Sequence, residues 1–212
     1  MKKPKLRIFL HHPECSAQSG SGIYEALSKD FNAGFFQVQD ITESYFKKVD
    51  IVVFPGGIGD SDSYDKILRP REDVIKNFVH RGGRYLGVCM GAYWTGHHYF
   101  DIIDSAKVVQ YIKQPTAEIR RSYSTVAEVN WLDQNYNMFF YDGCCIKGDQ
   151  NKFTTVARYA NSDPMAVIQD NIGIIGCHPE STKSWYNYRY LRNHWHHYKH
   201  HELLNKFTKQ LV

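Results

Sequence analysis

The sequence predicts an α/β fold whose central sheet is mainly parallel and covered on both faces. Three observations lead there. Short apolar runs alternate with stretches of helical periodicity from Leu6 to Cys89. The runs give way to turns rich in glycine, proline or polar residues. The second half carries closely spaced apolar runs joined by Asp- and Asn-bearing turns, the pattern of an antiparallel extension. A chain of 212 residues can bury a full core as one domain, 1–212.

Leu6 to Leu10 reads as a buried strand. A polar loop from His11 to Gly22 follows, then a helix from Ile23 to Asp30 with Ser21 as its cap. Phe35 to Ile41 and Asp50 to Phe54 read as the next strands, the latter ending at Pro55-Gly56-Gly57. Glu72 to His80 is a helix, with Val74, Ile75, Phe78 and Val79 at helical spacing and Gly82-Gly83 as its stop. A strand over Arg84-Tyr85-Leu86 leads into Gly87-Val88-Cys89-Met90-Gly91, and Ala92-Tyr93-Trp94 opens a helix that His97 and His98 finish. Further strands are expected at Val126 to Trp131, Met138 to Tyr141, Phe153 to Tyr159, Ala166 to Gln169 and Ile172 to Cys177. Leu203, Leu204, Phe207 and Leu211 recur at the spacing of an amphipathic helix docked on the sheet.

Charge and cysteine usage narrow the classes. The formal charge of +4 falls in the segment 185–212, where five basic side chains face one acidic. The remainder is neutral, so the basic excess belongs to the tail. No apolar run reaches membrane-spanning length, and Leu6 to Leu10 is too brief for a secretory signal, so a cytoplasmic protein with no membrane partner is expected. The five cysteines lack the spacing of a disulfide framework or a zinc site. Cys144, Cys145 and Cys177 read as buried thiols, the first two on opposite faces of one strand.

The chemistry concentrates at Cys89. A strand, a tight turn flanked by glycines and a helix make a nucleophile elbow, which lifts the side chain clear of the backbone near a positive helix end. A thiol in that field loses its proton more readily. It needs a base and an orienting group, and His178-Pro179-Glu180 supplies both: proline keeps His178 extended, so the side chains two apart project together. Acyl transfer also needs donors for the oxyanion, and the N–H groups of Met90 and of the Gly56-Gly57 turn, with Gly57 as donor, suit it. Taken singly, these motifs also describe a tight turn over a buried thiol, an ordinary extended tripeptide and a plain loop.

At these residues the chain resembles the class I glutamine amidotransferase-like superfamily, and within it the biotin-protein ligase N-terminal-like group. The likeness runs from about Leu6 to Ser181, through Phe54-Pro55-Gly56-Gly57, Tyr64, Gly82 to Tyr93, Tyr141-Asp142-Gly143 and Gly176 to Glu180. The resemblance implies a flavodoxin-like three-layer sandwich with a mainly parallel sheet, an antiparallel extension in the second half and a C-terminal helix. It implies a Cys89-His178-Glu180 triad working through a thioester, with no metal and no cofactor. Glutamine-hydrolysing members usually carry Gln four residues after the cysteine, where this sequence has Tyr93. Met90 stands where the biotin-ligase-like group often has Ala, a change that spares the backbone donor. Neither a synthetase nor a biotin ligase domain is present in the sequence.

The expected activity is therefore a cysteine-dependent amide hydrolase or amidotransferase-like reaction on a small amide, glutamine-like or otherwise; the contrasting reading is a binding or regulatory module on the same fold. Gly56, Tyr64, Tyr93 and His12 are candidate substrate contacts; His12 with His11, Glu14 and Cys15 lines the pocket or else belongs to a solvated loop, and the Asp60 to Ser63 run after the glycine turn is a further contact for a polar substrate. In the aromatic and basic tail, packing is favoured over stacking on nucleic acid, which is not an expected partner. His197, His200 and His201 fall at helical spacing, either a metal-binding face or an exposed polar one, the latter preferred. A homodimer or a protein partner stays open.

Overall fold

Alternation of buried side chains along each strand builds two apolar layers on one sheet. In the computed structural model, which describes residues 2–212, the elements in chain order are β1 (Lys5–Phe9), α1 (Ala17–Leu27), β2 (Asn32–Phe36), α2 (Glu43–Phe46), β3 (Ile51–Phe54), α3 (Ser61–Ile67), α4 (Glu72–His80), β4 (Arg84–Val88), α5 (Met90–Tyr93), β5 (Ala106–Gln110), β6 (Thr125–Trp131), β7 (Gln134–Phe140), β8 (Cys144–Gly148), β9 (Thr154–Tyr159), β10 (Pro164–Gln169), β11 (Ile172–Ile175) and α6 (Lys199–Lys209). The main sheet has nine strands in the order β2-β1-β3-β4-β11-β10-β9-β6-β7. Pairing is parallel from β2 through β1, β3 and β4 to β11, and antiparallel from β11 to β7. The resemblance to a flavodoxin-like sandwich with an antiparallel extension is borne out.

Leu6, Val53 and Leu86 face α1 and α6, whose Ile23, Leu27, Leu204 and Phe207 complete one core. Phe9, Val52, Phe54 and Tyr85 face the other way, onto Phe46, Tyr64, Ile75 and Phe78 of α2, α3 and α4. β5 pairs with β8 as a separate antiparallel ribbon. Cys144 belongs to one core and Cys145 to the other, as the alternation of a strand requires. α6 docks on the sheet at Gly173, where an added Cβ would meet Phe207 Cε1 at 2.7 Å.

Several boundaries differ from the sequence reading, each for a physical reason. α1 starts at Ala17 rather than Ile23, capped by Ser16, whose hydroxyl accepts from the Ser19 N–H at 3.2 Å. The Ser- and Gly-rich stretch reads as loop, but its glycines serve close packing: a Cβ on Gly22 would lie 2.1 Å from the Glu180 carbonyl oxygen. The second strand ends at Phe36, because the Asp40 carboxylate takes the Gln37 N–H and closes a 3-10 turn over Val38–Asp40. α5 stops at Tyr93, leaving His97 and His98 beyond the helix, exposed, with His97 beside Asp101 at 3.2 Å. In the tail only Lys199–Lys209 is α-helix; 185–198 runs through 3-10 turns, and left-handed residues at His197 and Tyr198 precede α6. Among the described residues no helix is long and apolar enough to cross a membrane.

Candidate active site

Parallel pairing in the order β1, β3, β4, β11 lines up four carboxyl ends, where ligand sites in open α/β sheets collect. Phe54 pairs with Gly87, and Val88 with Ile175. The Pro55-Gly56-Gly57 turn, Cys89 and the Cys177-His178 segment therefore emerge side by side.

Cys89 occupies the elbow with φ 50° and ψ −103°, a strained conformation for a side-chain-bearing residue. Two glycines permit it. A Cβ on Gly87 would lie 2.4 Å from the Gly91 carbonyl oxygen, and one on Gly91 would lie 2.0 Å from that of Phe54. The Cys89 N–H donates to Ile175 O at 2.8 Å, tying the elbow to β11. The residue is 5% exposed, with Sγ 3.7 Å from the Tyr141 carbonyl oxygen.

His178 is buried, and its Nδ1 lies 2.9 Å from Glu180 Oε1. Burial disfavours the imidazolium, but the neighbouring Cys89 sulfur and Glu180 carboxylate outweigh it and push the His178 pKa up to about 10. With Nδ1 held by Glu180, Nε2 is the nitrogen left for the sulfur. Glu180 is fully buried; Ser19 Oγ donates to the same Oε1 at 2.6 Å and accepts the Gly56 N–H at 3.0 Å. Oε2 has no partner among the described residues. The Gly56 amide is thus spent, whereas the Gly57 and Met90 N–H groups donate to no acceptor among the described residues. A Cβ on Gly56 would fall 2.6 Å from His178 Cε1, so glycine there makes room for the imidazole.

Residues 14–111 match the family model described as Biotin-protein ligase, N terminal. A putative GMP synthase subunit from Thermoplasma acidophilum shares 16% identity, with 99% of each chain covered and a TM-score of 0.61. A glutamine amidotransferase from Thermotoga maritima shares 12% identity over 100% of this chain and 91% of its own, at a TM-score of 0.63. This is a class I glutamine amidotransferase-like fold. A glutamine amidotransferase from Methylobacillus flagellatus superposes likewise, at 10% identity, 100% and 93% coverage and a TM-score of 0.63. No curated protein is similar to the chain in sequence. The fold that the resemblance implies, and the likeness of residues 14–111 to the biotin-protein ligase N-terminal group, are borne out.

On this amidotransferase-like fold Cys89, His178, Glu180, Gly56, Gly57 and Met90 come together, and three other candidates do not. Tyr64 is buried in α3 against Trp94, Tyr99 and Phe100, its hydroxyl donating to Glu72 at 3.3 Å, because Asp60 caps a helix that turns the side chain into the core, away from the cleft. Tyr93 donates to the Asp142 carbonyl oxygen at 3.2 Å and lines a separate hollow beside β5. His12 is exposed on the loop after β1 and lies outside the lining of the cleft at His178. Glu14 and Cys15 support the site from behind: Glu14 O accepts the Ile58 N–H at 2.9 Å, and Cys15 bridges Gly57.

That cleft measures about 330 Å³. Gly56, Gly57 and His178 border it, and Ile58, Phe139, Tyr141, Trp185 and Tyr188 supply apolar surface. Ser16, Gln18, Ser124 and Ser184 complete the lining.

Sequence reading missed two supports. Ser19 looked like a loop residue, and its tie to Glu180 spans 161 positions. The tail histidines His197, His200 and His201 do not form one face: His197 is exposed ahead of α6, in the left-handed region, whereas the other two turn inward. His200 and His201 are buried, as is His196, and the Nε2–H groups of His201 and His196 donate to the carbonyls of Glu180 and Ser181, at 3.1 and 3.0 Å. Burial lowers the His196 pKa to about 4, so it stays neutral, with Nδ1 accepting the His200 N–H. Packing of Tyr186, Leu191 and Trp195 against Phe139 and Val126 agrees with the preferred reading of the tail.

Ser19→Ala removes one of the two partners of a buried carboxylate. A stability loss of about 1.5–3 kcal/mol is expected in urea unfolding, together with severalfold slower alkylation of Cys89. Wild-type behaviour in both assays would show that the hydroxyl does not hold Glu180.

Proposed function

We propose that this protein is a cysteine-dependent amide hydrolase or amidotransferase-like enzyme acting on a small amide through a thioester. The observation that carries the reading is the contact of His178 with Cys89 on one side and Glu180 on the other, beside two unspent N–H donors. The raised pKa of His178 keeps an imidazolium beside the Cys89 sulfur at neutral pH, a cation that stabilises negative charge there. Thiolate attack on the carbonyl carbon forms the C–S bond and an oxyanion held by the Gly57 and Met90 amides. Collapse breaks the C–N bond as His178 Nε2 delivers its proton to the leaving nitrogen. Neutral His178 then takes a proton from water, or from an amine acceptor, as that group attacks the thioester and releases the thiolate. Glu180 keeps the imidazole oriented and offsets its charge in both half-reactions.

Four other buried cysteines provide an internal contrast. Burial pushes Cys15 and Cys145 up to about 12 and raises Cys144 and Cys177 as well, so all four stay protonated near neutral pH. Intact-mass spectrometry after exposure to a panel of small amides and esters tests the proposal. One acyl group per chain, mapping to Cys89 and absent from Cys89→Ser, is expected. No adduct across the panel would favour a binding or regulatory module on this fold.

A further inference from the structure

The geometry points to a substrate whose acyl portion is uncharged and carries an aromatic or bulky apolar group, seated in the cleft at His178. This deepens the proposed function and rests on it. Among the lining residues none is Asp, Glu, Lys or Arg, and His178 is already engaged by Glu180. An acyl chain bearing an ammonium and a carboxylate would meet no counter-charge along this lining.

The apolar surface at the cleft is itself unusual in being open. Ile58, Tyr141 and Tyr188 are 77%, 48% and 60% exposed, so three of the large hydrophobic side chains that the chain leaves to solvent border this one cleft. Trp185 stands edge-on to His178 with ring centroids 5.1 Å apart, and edge-on to Phe139 at 4.9 Å. An acyl group reaching the sulfur beside His178 therefore passes an aromatic wall. The polar remainder of the lining, Ser16, Gln18, Ser124 and Ser184, offers hydrogen bonds suited to amide or hydroxyl groups and no charge.

Methyl thioesters share one small leaving group, so single-turnover acylation of Cys89 by the acetyl, phenylacetyl and free γ-glutamyl thioesters isolates the acyl portion. Acid-quenched intact mass gives the rates. Phenylacetyl transfer is expected at least tenfold faster than acetyl transfer, and γ-glutamyl transfer no faster than acetyl. Trp185→Ala is expected to cut the phenylacetyl-to-acetyl ratio at least fivefold, and Trp185→Phe to keep most of it; a ratio cancels any common effect on His178. Equal rates for the three thioesters, or a fastest γ-glutamyl transfer, would overturn the assignment of acyl class while leaving Cys89 a nucleophile. Absence of any adduct above the Cys89→Ser control would take down both.

Discussion

His178→Ala is expected to slow alkylation of Cys89 by iodoacetamide at pH 7 by roughly 10- to 30-fold. A thiol of ordinary pKa near 8.5 is only about 3% ionised at that pH, whereas a thiol paired with an imidazolium is largely thiolate. The lower nucleophilicity of a stabilised thiolate keeps the ratio below the full difference in ionisation. The same proton has a stability signature. His178 has its folded-state pKa raised from 6.5 to about 10. Its stabilising contribution is therefore full below pH 6.5 and lost as the pH rises through 10. Urea unfolding of wild type and His178→Ala should show a wide gap at pH 6 and a narrower one at pH 10.5. Peptide-resolved alkylation and four unfolding curves suffice, and a gap that widens with pH would contradict the paired state.

Gly91→Ala is expected to cost about 3 kcal/mol or more, the upper part of the range for overpacking. The new Cβ would meet backbone, with the Phe54 carbonyl oxygen at 2.0 Å and its carbon at 2.6 Å, and no rotamer relieves that. Relief requires α5 to move off β3, which carries Cys89 and the Met90 amide away from Gly57. Loss of Cys89 reactivity should therefore accompany loss of stability. Gly20→Ala in α1 is the matched control: its nearest neighbours would lie at 3.7 and 3.8 Å, ordinary contact, and alanine suits a helix better. A fall in denaturation midpoint for Gly91→Ala alone checks the argument, and equal midpoints would count against it.

How much of this was legible in the sequence depended on how local the determining interaction is. α4 was placed residue for residue because its apolar spacing and its glycine stop lie within the segment. The elbow was legible for the same reason: Gly87 records a clash with Gly91 and Ala92 of its own turn, and the strain at Cys89 follows from that turn, although Gly91 answers to Phe54 on β3. The meeting of Cys89, His178 and Gly57 rested on each motif closing a strand, and the parallel order β3-β4-β11 brought them together.

What stayed hidden is long-range. The start of α1 was missed because Gly20 and Gly22 argue locally against a helix, while the need for Gly22 comes from the distant Glu180 backbone. Tyr64 follows the glycine turn closely in sequence, yet Asp60 starts a helix that turns it into the aromatic core. The buried histidines of the tail looked polar because nothing near them in sequence reveals the carbonyls of Glu180 and Ser181 that their N–H groups meet.

Cys89 differs from the four other thiols by its contact with His178, and the most direct measurement compares all five in wild type. After brief iodoacetamide treatment of the folded protein at pH 7, peptide mapping should find Cys89 modified at least tenfold faster than Cys15, Cys144, Cys145 or Cys177. Modification of all five at one rate, or of Cys89 only after unfolding, would contradict an activated nucleophile at this elbow.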